Sequence, residues 1–271
     1  MIAPAVSRVA PLPDGSLERV RVGLIGAGNI ARALARGWGD PVLCTDAGSG
    51  RAQALARELG GEALPSAVAV AERADLVVLC HKPAQLAAVA AQLAGRARVV
   101  VSVLGATPIA VLQETYPDVP VFRMMPNTPV EVRRGVVCYS AAPGVDPRLE
   151  QVVLALFERL GTVVGVPEGL IDAAMAVMSV GPAYQAMIAE AQVDAAVRHG
   201  LSAPLAGRLV VETMAGTAAL LAQRDYDTLA VRREVTSPGG STARGLAALD
   251  RAGLRPAFHD AIDAAAGGSR R

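Results

Sequence analysis

The sequence predicts an α/β protein: an N-terminal, doubly wound parallel sheet followed by a C-terminal, all-helical dimerisation domain. Three observations predict it. Short valine-rich runs alternate with helix-patterned segments from residue 20 to residue 166, the order that builds a parallel sheet. A glycine-rich turn joins the first such run to the first helix. From Glu168 onward almost only helical pattern remains, and several helices are apolar on more than one face.

The elements follow in order. Residues 1–19 read as a loose extension, because Pro4, Pro11, Pro13 and Asp14 interrupt it and no compact apolar stretch of a secretory signal forms. Arg21 to Ile25 is a strand, Asn29 to Trp38 a helix ended by Gly39, and Val42 to Thr45 a second strand. Arg51 to Leu59 is a helix ended by Gly60-Gly61. Leu76 to Cys80 and Arg98 to Val103 are strands apolar enough to be buried on both faces. Pro83 opens a helix reaching about Leu93. Val119 to Met124, Val136 to Tyr139 and Val163 to Val166 are further strands, with a helix from about Pro147 to Leu160. In the second half, 167–271, Leu170 to His199 is a helical stretch broken at Gly181-Pro182. Ala203 to Gln223, Thr242 to Ala252 and Pro256 to Ala265 are helices. So much apolar helix cannot bury every face alone, which predicts a homodimer or a higher oligomer built from dimers.

Composition narrows the partners. Over 271 residues the formal net charge is +1, so neither nucleic acid nor an anionic membrane is an expected partner. No apolar run is long enough for an expected membrane helix. Cys44, Cys80 and Cys138 are odd in number and lie in apolar runs, which suits free thiols in the cytoplasm. No metal site is expected, because no His/Cys/Asp cluster has ligand spacing. Lys82 is the only lysine in the chain.

Five segments carry candidate chemistry. Gly26-Ala27-Gly28-Asn29-Ile30-Ala31 follows a strand and opens a helix. Gly26 permits the tight turn, Gly28 admits a pyrophosphate to the backbone, and the helix start offers free N–H groups. This is the Rossmann fingerprint of a nicotinamide dinucleotide, NADPH or NADH. Asp46, twenty residues after Gly26, can accept from the adenosine ribose and would repel a 2′-phosphate; locally it favours NADH, while Arg51 could offset that repulsion. A plain turn aspartate is the alternative. His81-Lys82-Pro83 ends a strand at the edge where such sheets bind ligands. Met125 to Pro129 is a rigid proline-bounded loop at the same edge. Ser237-Pro238-Gly239-Gly240-Ser241-Thr242 precedes a helix; its glycines leave N–H groups for an anion such as a carboxylate, and Ser241 or Thr242 can alternatively cap that helix.

In this order the segments resemble the pyrroline-5-carboxylate reductase family over about Val22 to Ala265. The most specific parts are Met125 to Pro129, Gly181-Pro182-Ala183-Tyr184, Asp194-Ala195-Ala196-Val197 with Gly200-Leu201, and above all Thr236 to Thr242. The resemblance implies reduction of the C=N bond of 1-pyrroline-5-carboxylate to L-proline, the last step of proline synthesis. It implies that Ile25, Gly26, Ala27, Gly28, Asn29 and Ile30 hold the pyrophosphate and that His81 and Lys82, with Pro83 beside them, line the cofactor. It also implies that Ser237, Gly239, Gly240, Ser241 and Thr242 meet the substrate. Thr242 would hydrogen-bond the ring nitrogen, and amides around Gly240 and Ser241 would hold the carboxylate. Glu168 matches a family acid near the substrate. The chain departs from the family at Met178 and Val180, where serines are usual, and at Leu104-Gly105-Ala106, where the family reads Ala-Ala-Gly. The departures leave two alternatives: a reductase of another cyclic imine, or a catalytically silent dinucleotide-binding sensor.

Overall fold

The computed structural model describes residues 20–266, so the expectation for residues 1–19 lies outside the described residues. The chain forms two compact units that divide between Ser179 and Val180.

The first unit is an eight-stranded sheet between helical layers. Its strands are β1 (Val22–Ile25), β2 (Leu43–Thr45), β3 (Glu62–Ala63), β4 (Leu76–Leu79), β5 (Val100–Ser102), β6 (Val121–Pro126), β7 (Gly135–Ala141) and β8 (Gly161–Gly165). Their spatial order is β3-β2-β1-β4-β5-β6-β7-β8. The helices are α1 (Asn29–Trp38), α2 (Arg51–Leu59), α3 (Ala67–Arg73), α4 (Leu86–Leu93), α5 (Ile109–Thr115), α6 (Pro147–Glu158) and α7 (Ile171–Met178). β1 (Val-Gly-Leu-Ile) and β4 (Leu-Val-Val-Leu) have no polar position, because both faces are covered. On one face α1, α2 and α6 bury Leu34, Trp38, Leu55 and Phe157 against the sheet; on the other, Val70, Leu93 and Leu112 do so. Trp38 keeps its indole N–H satisfied inside this core by donating 2.9 Å to the Leu156 carbonyl.

The expected all-parallel sheet is corrected at one edge. β6 and β7 pair antiparallel, and β8 then runs parallel to β7. Only residues 127–134 join β6 to β7, and a parallel return needs a longer crossover. By packing, α7 clusters with the first unit, because Ile171 and Met178 lie against Met125 and Cys138.

The second unit is helical: α8 (Gly181–Arg198), α9 (Ala203–Gln223), α10 (Thr228–Glu234), α11 (Ser241–Arg251) and α12 (Leu254–Ala265). Inside it Tyr184 stacks edge-on with Phe258 and donates to the Ala261 carbonyl, tying α8 to α12. Single-chain burial here is sparse: α8, α11 and α12 have no fully buried residue and α9 has only Ala206. The expectation of no membrane-length apolar segment needs correction, since α9 reaches a mean hydropathy of 1.4 over 18 residues and is only 11% buried. Arg208 and Glu212, one turn apart on it, are what broke the run in the sequence. Met187, Leu205, Leu209 and Val211 are exposed on these helices, an apolar surface that a second protein copy would cover.

Candidate active site

The chain runs from β1 outward to β3 and then returns to β4 on the other side of β1. The carboxyl ends of β1 and β4 therefore form the crevice where open α/β sheets bind ligands. Gly26 lies there at φ +105; a Cβ on it would sit 2.8 Å from the Cys80 carbonyl group and 3.0 Å from the His81 nitrogen. Only glycine fits this turn against the end of β4. Its own N–H is fixed by the Thr45 carbonyl at 2.9 Å. Gly28 is different. No protein atom would touch a Cβ on Gly28 within 4 Å, so packing does not require glycine and the start of α1 lies open. Gly28 caps α1 without a side-chain bond, and the first helical bond runs from Arg32 N to Gly28 O at 3.1 Å. The amides of Asn29, Ile30 and Ala31 are therefore without helical partners, a cradle suited to a phosphate.

Asp46 begins the loop that follows β2. One carboxylate oxygen accepts from Gly48 N at 2.9 Å; the other accepts from Ser49 Oγ at 2.6 Å, Arg51 N at 2.9 Å and Ala52 N at 3.1 Å. The Ser49 hydroxyl and these amides hold its pKa below the usual carboxylate value. Asp46 thus caps α2 while standing at the expected ribose position.

His81 Nδ1 lies 2.9 Å from the Lys82 carbonyl, and Nε2 is buried without a partner. Burial lowers the imidazole pKa, outweighing that carbonyl bond, so the ring is neutral near pH 7. Lys82 and Pro83 are exposed, and Lys82 N donates to Gln85 Oε1 at 3.2 Å. The helix expected from Pro83 opens as a 3-10 turn, Pro83–Gln85, before α4.

Glu168 lies in the same unit, on the turn before α7. Its Oε1 accepts from Arg123 Nη1 at 2.6 Å and from Ile109 N at 2.9 Å, while Oε2 is buried without a partner. Arg123 is a residue that sequence reasoning missed. Its signal was one charge inside an otherwise apolar strand, Val121-Phe122-Arg123-Met124-Met125, and that strand is buried throughout. Asn127 was read only as part of a turn. Buried at 8% exposure, it donates to the Met178 carbonyl at 3.1 Å and accepts from Val136 N at 2.9 Å. The amide clasps the end of α7 to the β6–β7 connection.

The Ser237–Thr242 loop belongs to the second unit. Pro238 and Gly239, the latter at φ +69, form a tight turn closed by Gly240 N donating 3.1 Å to Ser237 O. A Cβ on Gly240 would lie 2.4 Å from Ser237 Oγ. Of the amides expected to cradle an anion, that of Gly240 is used in the turn. Gly240, not Ser241 or Thr242, is the N-cap of α11, and it supplies no side chain. Arg244 N takes the first helical bond to Gly240 O. The amides of Ser241, Thr242 and Ala243 are the ones without helical partners.

Residues 168–271 match the family model described as pyrroline-5-carboxylate reductase dimerisation, and residues 21–105 match an NADP oxidoreductase model described as coenzyme F420-dependent. The chain is 34% identical to a pyrroline-5-carboxylate reductase of Synechocystis over 91% of its length and 96% of the relative's. It is 36% identical to one of Mycobacterium tuberculosis over 90% and 94%. Among solved structures, the Plasmodium falciparum pyrroline carboxylate reductase with NADP bound matches at a TM-score of 0.83 and 25% identity, covering 93% of this chain and 97% of that one.

Proposed function

Because the chain belongs to the pyrroline-5-carboxylate reductase family, we propose that it reduces the C=N bond of 1-pyrroline-5-carboxylate to L-proline with a nicotinamide cofactor. The observation that carries this reading is the start of α11, where a closed Ser237–Gly240 turn leaves three amides open beside two hydroxyls.

When bound, the nicotinamide supplies the hydride. The residues do the rest. The open amides at the start of α1 hold the pyrophosphate, and the missing Cβ of Gly28 leaves room for it. Asp46, with its charge already set beside α2, disfavours a 2′-phosphate and tips the preference toward NADH. His81 and Lys82 line the cofactor at the end of β4. The amides of Ser241, Thr242 and Ala243 hold the substrate carboxylate, which the positive end of α11 favours. The Thr242 hydroxyl hydrogen-bonds the ring nitrogen, withdrawing electron density so that the neighbouring carbon accepts hydride. Solvent supplies the proton, and the protein's main contribution is positioning. Glu168 Oε2 is left as an unsatisfied buried acceptor.

The Met178 departure has a structural explanation. Its side chain packs with Met125, Cys138 and Ile171, so the lost serine is replaced by core packing. The exposed apolar faces of α8 and α9 bury in a homodimer or an assembly of dimers. Cys44, Cys80 and Cys138 are free thiols, in keeping with a cytoplasmic enzyme.

The test follows NADH and NADPH absorbance with purified protein and 1-pyrroline-5-carboxylate. Rapid loss of either signal is expected, faster for NADH. No oxidation of either overturns the reading in favour of another cyclic imine, and silence with all cyclic imines favours a dinucleotide-binding sensor.

A further inference from the structure

Two consecutive glycines are a poor way to hold a binding loop still, because glycine has the widest choice of backbone conformations to lose. Gly239 and Gly240 stand immediately before the open amides of α11. The peptide between them is nevertheless fastened at both ends. Its N–H, on Gly240, donates 3.1 Å to Ser237 O. Its carbonyl, on Gly239, accepts from Arg244 Nη1 at 2.7 Å. Arg244 belongs to the first turn of α11 and also closes that turn through its own N–H to Gly240 O at 3.2 Å. One residue thus grips the loop through both backbone and side chain. The acids nearest to it along the chain are engaged elsewhere, Glu234 with Arg224 and Asp250 with Arg255, so the guanidinium answers to the loop.

From this geometry we infer that Arg244 is a positioning residue for the substrate carboxylate: it holds the Gly239–Gly240 peptide in the orientation that leaves the amides of Ser241, Thr242 and Ala243 open. The inference rests on the reading above that this loop takes the carboxylate. Without Arg244 the carbonyl end of the peptide is free to turn, and binding must then order two glycines at the substrate's expense. The guanidinium touches the loop and not the reacting atoms. Its loss weakens imine binding and leaves the hydride step largely intact once substrate is held.

Steady-state kinetics of the full chain tests this with Arg244→Gln and Arg244→Lys, alongside melting temperatures. For Arg244→Gln the imine KM is expected to rise roughly five- to tenfold, the effect of one lost charge-assisted bond at an exposed site. Its kcat and the cofactor KM should stay within about twofold of wild type. Arg244→Lys, which keeps a cationic donor, should recover most of the imine KM. An unchanged imine KM in Arg244→Gln overturns the role of Arg244 alone, provided the wild type is active. So does a kcat that falls in step with the melting temperature, or a lysine variant as impaired as glutamine at full stability. A wild type that turns over no cyclic imino acid overturns the carboxylate reading beneath it and this inference with it.

Discussion

Arg123 Nη1 donates to Glu168 Oε1 across 2.6 Å, and the same oxygen accepts the Ile109 amide at 2.9 Å. The pair joins β6, the start of α5 and the turn into α7. Its two ends differ in burial, Arg123 at 3% exposure and Glu168 at 29%. Removing the acid leaves a buried guanidinium with only Asp172, at 4.0 Å, beside it. Removing the arginine leaves Glu168 its bond from the Ile109 amide and a side chain 29% exposed. Glu168→Ala is therefore expected to cost about 3 kcal/mol of stability, and Arg123→Met clearly less. Urea unfolding of both variants checks the order; equal costs would show that burial does not govern the pair.

Ala106 occupies the left-handed region, at φ +53. It stands where the related family carries the glycine of Ala-Ala-Gly, and that conformation is why glycine is usual there. A side chain at this φ costs about 1 kcal/mol. Ala106→Gly is expected to stabilise by about 0.5 kcal/mol, since the relief is offset in part by glycine's greater freedom when unfolded. Thermal melting decides it, and a lower midpoint would mean that the turn tolerates alanine without strain.

Much of this fold was legible because the chain marks its helix ends with local chemistry. Gly39 and Gly60 end α1 and α2 in left-handed caps at φ +72 and +68, and the predicted limits of α1, α2 and α9 match the structure. Other segments were missed for different reasons. Ala67–Arg73 reads Ala-Val-Ala-Val, an alternation that hides a helix capped by Ser66. β3 is only two residues long. The direction of β7 depends on how far residues 127–134 can reach, which no periodicity reveals. At the sites, residue type was legible and hydrogen-bond bookkeeping was not. Asp46 was visible as an acid at the ribose position, but its four local donors appear only in three dimensions. The Gly240 amide looked free until the turn closed on Ser237.

Asp75 gives the first unit a pH-dependent anchor. Its carboxyl is 2% exposed and accepts from the Arg21 amide and guanidinium at 3.0 to 3.1 Å, with Arg98 at 3.5 Å. Burial opposes its ionisation, but the arginine bonds and charges outweigh burial and lower its pKa. In the unfolded chain the group titrates near 4, so between that value and the lower folded pKa the unfolded state binds more protons. Its contribution is present above about pH 4 and is lost as pH falls through the folded pKa. Asp75→Asn should lower the melting temperature at pH 7 and flatten its fall between about pH 5 and pH 3. Parallel wild-type and variant pH profiles would rule this anchor out.

Asp46 accepts from the first amides of α2, and substitution separates that role from its proposed discrimination between NADH and NADPH. Serine at that position keeps one acceptor for the start of α2 and removes the charge that, on the proposed reading, would face a 2′-phosphate. Asp46→Ser should raise the ratio of kcat/KM for NADPH over NADH roughly tenfold, equivalent to about 1.4 kcal/mol of relieved repulsion. It should also lose up to about 1 kcal/mol of stability from the weakened cap. A stability loss with no change in the ratio would confine Asp46 to capping.

Thr242 is the sharpest test of the chemistry. It is the second residue of α11, half-buried, and the cap of that helix is Gly240. Alanine at this position therefore removes no capping bond and suits a helix, so stability should hardly change. If the hydroxyl bonds the ring nitrogen as the C=N bond is reduced, Thr242→Ala should lower kcat/KM roughly 10- to 100-fold. Thr242→Ser should keep most of the activity, and Thr242→Val, similar in shape without the hydroxyl, should behave as alanine does. A valine variant as active as wild type would show that the side chain matters for packing alone and leave polarisation of the imine to the α11 amides and the cofactor.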